Sequence, residues 1–286
     1  MTVKKSDPEA RTLPPHESAR VLKKYGIRAE KSLGQNFLDD ELVLQKIVKT
    51  AQVSTADTVL EIGPGLGSLT CHLAVSAKEV VAVELDKHLI PILTDVLTPF
   101  KNVRVIQGNF LDFRIHDLIQ AESFMVIANI PYYITSAIIR HLMENLPRPK
   151  RVVLTIQKEV AQRICAEPGD MSLLALSVQV FGQPAIAFEI PAIAFFPEPN
   201  VDSAVLKLDA YPEPVIPSAK LDSFFKLAKA GFSQKRKTLR NSLSGGLSIS
   251  SIDAENLLKA SGIDPKRRAE TLSLSEWALL TTTYSS

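Results

Sequence analysis

A chain of 286 residues can hold one large core plus a smaller companion domain. With 45% hydrophobic and 22% charged residues it is neither a disordered chain nor a fibrous repeat. Net charge is only +2, but it is uneven: about +4 over residues 1–31, −5 over 32–207 and +3 over 208–286, a neutral-to-acidic body flanked by basic ends.

Residues 1–17, with Pro8, Pro14 and Pro15, read as a flexible leader. They contain no apolar signal-peptide core, and no run in the chain approaches the ~20 apolar residues that span a bilayer, so a soluble protein of the cytoplasm is expected, with no membrane partner. "SARVLKKYG" predicts a short helix, Ser18 as its cap and Gly26 as its stop. "KSLGQNFLDDELVLQKIVKTAQV" predicts a loop and then a helix with Leu42, Ile47 and Val48 on one face.

From Thr58 onward short Val- and Ile-rich runs alternate with helical stretches: "TVLEI", "VVAVEL", "VRVIQ", "FMVIAN" and "RVVLTIQ". Near-continuous apolar strands at this spacing imply a mostly parallel, Rossmann-like α/β sheet covered on both faces. After a helical "SLLALSVQV", the strands "AIAFEI" and "SAVLKL" close the sheet with an antiparallel edge. Past Ala210, "YPEPVIP" reads as a linker, and "KLDSFFKLAKAGF", "KTLRNSLS", "DAENLLKAS" and "LSEWALLTTTY" as a small all-α domain. The expected division is a leader over 1–17, an α/β domain over 18–209 and a helical domain over 210–286. Cys71 and Cys165 lie in no CxxC pair or histidine cluster, so both read as packing residues, and no metal site is expected.

In an open parallel sheet, ligands sit at the carboxyl ends of the strands where the strand order reverses. The first such end is "VLEIGPGLGSLT", where Gly63, Gly65 and Gly67 permit a tight turn and a close backbone approach. The next strand ends in Glu84, placed to accept from two ribose hydroxyls. The pattern departs from GxGxxG because Ser68 stands where the last glycine belongs, and no Lys-Ser/Thr follows for a P-loop. S-adenosylmethionine therefore fits better than NAD, having a ribose but no pyrophosphate; an ordinary glycine-rich turn is the plain alternative.

"FMVIANIPYY" ends a buried strand on Asn129, Ile130, Pro131 and Tyr132 at the same rim. Asn129 Oδ1 and the Ile130 carbonyl are two acceptors suited to the two N–H donors of an exocyclic adenine amine, and Pro131 keeps the chain extended between them and the next residue. Tyr132 is suited to stack on a base swung out of its helix. A strand-end turn with Pro and Asn in their usual roles is the alternative here.

"GQNFL" at 34–38, "EIGPGLG" at 61–67, "ELD" at 84–86, "NIPY" at 129–132, "FFPEPNVDSAV" at 195–205 and "FSQKRKTLRNSL" at 232–243 closely resemble the bacterial 16S rRNA adenine N6,N6-dimethyltransferase family, in order and at the family spacing from about Lys31 to Leu280. The resemblance implies a class I methyltransferase fold, S-adenosylmethionine as cofactor, and dimethylation of two adjacent adenosines in a hairpin loop near the 3′ end of 16S rRNA, with a role in small-subunit biogenesis. It implies cofactor contacts from Asn36, Leu38, Gly63, Glu84, Asn109 and Asn129, and a target-base wall of Phe195 opposite Tyr132. The partner implied is 16S rRNA in an immature 30S subunit; a monomer is the expectation.

One position departs from the family pattern, which has an aspartate where this chain has Asn109 in "QGNFLDF". An amide oxygen can accept the same bond from the cofactor's adenine amine, but neutrally; Asp112 is the alternative if the loop shifts. With that resemblance Lys235, Arg236, Lys237 and Arg240, within two helical turns, are expected to contact rRNA phosphates, a solvated helix face being the plain alternative, and "PKRRAE" at 265–270 is a weaker candidate. The rival readings are a large-subunit adenosine methylase, a non-catalytic assembly or transcription partner with the same fold, and a nicotinamide dehydrogenase. The intact "NIPY" rim and Glu84 speak against the second, and the missing third glycine against the last.

Overall fold

The computed structural model describes residues 17–285, so the expected leader lies, apart from Glu17, outside the described residues. Among the described residues nine strands occur in chain order: β1 (Phe37–Leu38), β2 (Thr58–Ile62), β3 (Glu79–Glu84), β4 (Val103–Gln107), β5 (Phe124–Asn129), β6 (Arg151–Gln157), β7 (Gly182–Ile190), β8 (Phe195–Phe196) and β9 (Ser203–Ala210). Seven form one sheet in the order β4-β3-β2-β5-β6-β9-β7, parallel from β4 to β6 and antiparallel at β9 and β7; β1 and β8 make a separate two-residue antiparallel ladder. The chain runs outward from β2 to β4 and then returns to β5, so the reversal lies between β2 and β5.

Burial follows position in the sheet. Every residue of β2 is buried, whereas the edge strand β7 alternates, buried at its ends and half-covered or exposed between them. Side chains alternate between two apolar layers: Val59, Val80, Ile127 and Val153 pack with the helices Glu41–Ala51 and Ser68–Ser76, while Leu60, Val81, Val126 and Leu154 face the other side. That second layer continues without a break into the C-terminal helices, through Phe224, Leu227, Leu243, Leu258 and the fully buried Trp277. The helices Leu221–Phe232 and Leu239–Leu247 cross closely at Gly246, where a Cβ would stand 2.6 Å from Ala230. The proline-rich connection is tied down as well: Tyr211 N donates to the Phe181 carbonyl, Val215 N to that of Val180, both at 2.9 Å, and Ile216 is buried.

Several local expectations are corrected. Ser18 is the first residue of its helix rather than the cap; it hydrogen-bonds Asp39 through its amide and hydroxyl, and Gly26 ends the helix with φ +66°. On the helix Glu41–Ala51, capped by Asp40, the buried stripe is Leu44, Ile47 and Ala51, while Leu42 is 76% exposed. Two residues are about 200° of helix rotation, so a stripe through Leu44 puts Leu42 on the far side. Lys235, Arg236 and Lys237 sit not on a helix but in the exposed turn between two; the following helix begins only at Leu239, leaving Arg240 alone of the four in helical structure.

Candidate active site

The site is built where β2, β3, β4 and β5 end. Beyond Ile62 the chain turns on Gly63, Gly65 and Gly67, all with positive φ, before the helix Ser68–Ser76 begins. The Phe37 ring covers Gly65 so closely that a Cβ there would lie 3.0 Å from it, and at φ +60° any side chain would also strain the backbone. Glu84, at the end of β3 and 5% exposed, clamps this loop: Oε2 accepts from Gly65 N at 3.0 Å and Oε1 from Asp86 N at 2.8 Å. Burial pushes its carboxyl pKa up, partly opposed by the backbone N–H groups of Asp86 and Gly65. Each oxygen keeps a lone pair for a ligand hydroxyl.

The leading "GQNF" segment crosses the mouth as a strap. Gln35 Nε2 donates to Asp86 Oδ2 at 2.8 Å on one side, and on the other Asn129 Nδ2 donates to the Asn36 carbonyl at 3.0 Å. The second bond fixes the Asn129 amide. Its NH2 group must face the Asn36 carbonyl, so Oδ1 is the atom turned to other donors.

Asn36, Leu38, Gly63, Gly65, Glu84, Asn109, Asn129, Ile130, Pro131 and Tyr132 all line one cavity. Tyr132 OH pairs with Ser203 Oγ at 2.5 Å, which ties the "NIPY" strand end to the start of β9, and burial pushes its phenol pKa up. Phe195 does not line this cavity: it is 4% exposed and packs with Leu38 and Val205, whereas its neighbour Phe196 is 39% exposed. Asn109 does line it, but its Oδ1 accepts from Leu111 N at 3.2 Å, capping the turn Phe110–Asp112; Asp112 is exposed and outside the cavity. Of the four basic residues, Lys235, Arg236 and Lys237 are exposed, and Arg240 Nη1 is ion-paired with Glu255 at 3.2 Å. In "PKRRAE", Arg267 pairs with Glu276 and Arg268 with Glu270.

Sequence reasoning passed over Glu61. It projects from β2 into the cavity wall, is 1% exposed, and its Oε2 has no hydrogen-bond partner. Burial, reinforced by the nearby charge of Glu84, pushes its pKa up to about 8. The signal was a carboxylate inside an otherwise apolar strand. Among the described residues no group of three or more His, Cys, Asp or Glu could hold a metal, and no helix is long and apolar enough to cross a membrane.

The geometry offers a carboxylate for a diol, a glycine cradle, and an amide acceptor at the strand end beyond it. The sequence profile of ribosomal RNA adenine dimethylases matches residues 26–284. A ribosomal RNA small subunit methyltransferase A from Dehalococcoides mccartyi (strain CBDB1) is 43% identical over 269 residues, 94% of this chain and 92% of that protein. One from Bacillus cytotoxicus is 41% identical over 276 residues, 93% and 94% of the two chains. Among solved structures, a dimethyladenosine transferase from Plasmodium falciparum superposes with a TM-score of 0.74 at 26% identity, covering 87% of this chain and 97% of that one. The 23S rRNA methyltransferase ErmE gives 0.69 at 27% identity, covering 88% and 100%. The chain is thus an rRNA methyltransferase of class I fold, and it belongs to the ribosomal RNA adenine dimethylase family.

Proposed function

We propose that this chain transfers methyl groups from S-adenosylmethionine to N6 of two adjacent adenosines in the 3′-terminal hairpin loop of 16S rRNA, acting as a cytoplasmic monomer on an immature 30S subunit. The observation that carries the reading is the Asn129 amide, locked by the Asn36 carbonyl so that its oxygen accepts at the rim.

The residues fit the cofactor. Glu84 has lone pairs left for a ribose diol, and a Cβ at Gly65 would press on the Phe37 ring that lines the same cavity. When bound, S-adenosylmethionine supplies an electrophilic sulfonium methyl. Asn36, Leu38, Gly63, Gly65, Glu84, Asn109 and Asn129 would hold it. Asn129 Oδ1 and the Ile130 carbonyl accept from the two N–H groups of the target amine, orient its nitrogen and raise its electron density. Once alkylated, that nitrogen is acidic and sheds its proton to water, so the rim needs no strong base. Tyr132, held by Ser203, supplies a ring face for the extruded base. Phe195 backs the strap through Leu38, its β-ladder partner, and acts on the base from behind that wall.

The exposed turn Lys235–Lys237 suits rRNA phosphates, with Arg240 a weaker contributor because Glu255 already pairs with it. Small-subunit specificity is favoured over the large subunit because the relatives at 41–43% identity carry the small-subunit name, while the 23S enzyme stands at 27%. The test is to offer labelled S-adenosylmethionine with unmodified small subunits, mature small subunits and large subunits. Label in dimethyladenosine of the unmodified small subunits alone supports the proposal; label in 23S rRNA overturns its substrate.

A further inference from the structure

The order of strand ends along the rim is Asn109 after β4, Glu84 at β3, the glycine turn after β2 and Asn129 at β5. This inference rests on the cofactor reading above. A cofactor with its ribose on Glu84 and its methyl toward Asn129 has only one direction left for its base, outward to Asn109. What Asn109 shows there follows from its bond to the backbone. The Leu111 N–H is a donor, so the atom facing it at 3.2 Å is the oxygen. Amide planarity then leaves Nδ2, with two donors and no protein acceptor among the described residues, as the branch available to the cavity that Asn109 lines.

We propose that Asn109 presents hydrogen-bond donors to the base edge of the cofactor, so that this chain discriminates only weakly between a 6-amino and a 6-oxo purine there. A 6-aminopurine offers N1 as acceptor beside its N6 donors; a 6-oxopurine exchanges them, offering O6 as acceptor beside its N1–H donor. Nδ2 can donate to either. A carboxylate at the same position would cap Leu111 N with one oxygen and turn the other to the base, where it accepts from a 6-amino group but is repelled by O6, leaving the N1–H of the 6-oxo base as the one donor it could reach. Asn109→Asp therefore converts a tolerant edge into a selective one while keeping the cap, since Asp is as good a capping residue as Asn.

The test titrates S-adenosylhomocysteine and its 6-oxo analogue, S-inosylhomocysteine, into wild type, Asn109→Asp and Asn109→Ser by calorimetry. Wild type is expected to bind the two within about threefold, and Asn109→Asp to favour the amino form by about tenfold or more relative to wild type. Asn109→Ser, which keeps a capping oxygen and loses the NH2 donors, is expected to bind both more weakly without gaining selectivity. An Asn109→Asp selectivity ratio equal to that of wild type overturns the inference. If wild type binds neither compound, the cofactor reading itself fails, and this inference with it.

Discussion

Glu84→Gln isolates the carboxylate on which the cofactor half of the site depends. In the native loop both oxygens are engaged, with Gly65 N at 3.0 Å and Asp86 N at 2.8 Å. A glutamine has one oxygen and one NH2, so in either orientation a side-chain donor faces a backbone donor. One bond is lost and one buried N–H is left unpaired, which costs about 1–3 kcal/mol of loop stability. The ribose diol also loses a charged acceptor, worth about 1.5–3 kcal/mol of binding, or roughly ten- to 150-fold in Kd. Calorimetric titration with S-adenosylhomocysteine beside a thermal melt reads both effects. A Kd within threefold of wild type would refute the assignment of Glu84 to the diol. The pH profile gives an independent reading: the ionised carboxylate is the acceptor and burial raises its pKa, so wild-type binding should weaken as pH falls through that raised value. The glutamine variant should not follow it.

Glu61→Gln should alter the pH dependence of stability. The folded carboxyl titrates near 8 against an ordinary 4.5, so between these values the native state holds a proton that the unfolded chain has released. Wild-type stability, fully present below 4.5, should fall by about 1.4 kcal/mol per pH unit from this group as pH rises toward 8. Melts of wild type and variant from pH 5 to 8 should diverge by that slope, and parallel curves would contradict it. Replacing Lys235, Arg236 and Lys237 together with glutamine should weaken rRNA binding and lower its log–log salt slope by about two. S-adenosylhomocysteine affinity should stay put, and Arg240→Gln should have a smaller effect because Glu255 holds that side chain. An unchanged salt slope for the triple variant would remove the turn from the rRNA interface.

The strands were legible because an interior parallel strand is apolar on both faces, and "TVLEI", "FMVIAN" and "RVVLTIQ" leave no other period to read. The glycine turn, Glu84 and the "NIPY" end could be gathered at one rim from strand order alone, since parallel strands end on the same side. What stayed hidden depends on partners distant in sequence. Leu42 looked like core until the Leu44–Ile47–Ala51 stripe chose the face, and Ser18 like a cap until Asp39 claimed it. The basic run looked helical because its charges follow a helical segment, yet the chain turns there before Leu239. That the Asn109 oxygen accepts from Leu111 N could not be read from the sequence, because the cap is a property of backbone geometry rather than residue type. Phe195 was assigned to the base wall by motif position, and only the β1–β8 ladder shows that its ring is buried against Leu38 and Val205.

The most direct test of the account is methyl transfer from labelled S-adenosylmethionine to purified small subunits lacking the modification, with wild type compared against Asn129→Ala and S-adenosylhomocysteine affinity measured on both. The account predicts label in dimethyladenosine for wild type, and for Asn129→Ala a rate lower by about a hundredfold or more, because the amine loses the acceptor that orients it. Its cofactor affinity should fall by much less. Equal rates for the two proteins would contradict the role of the strand end.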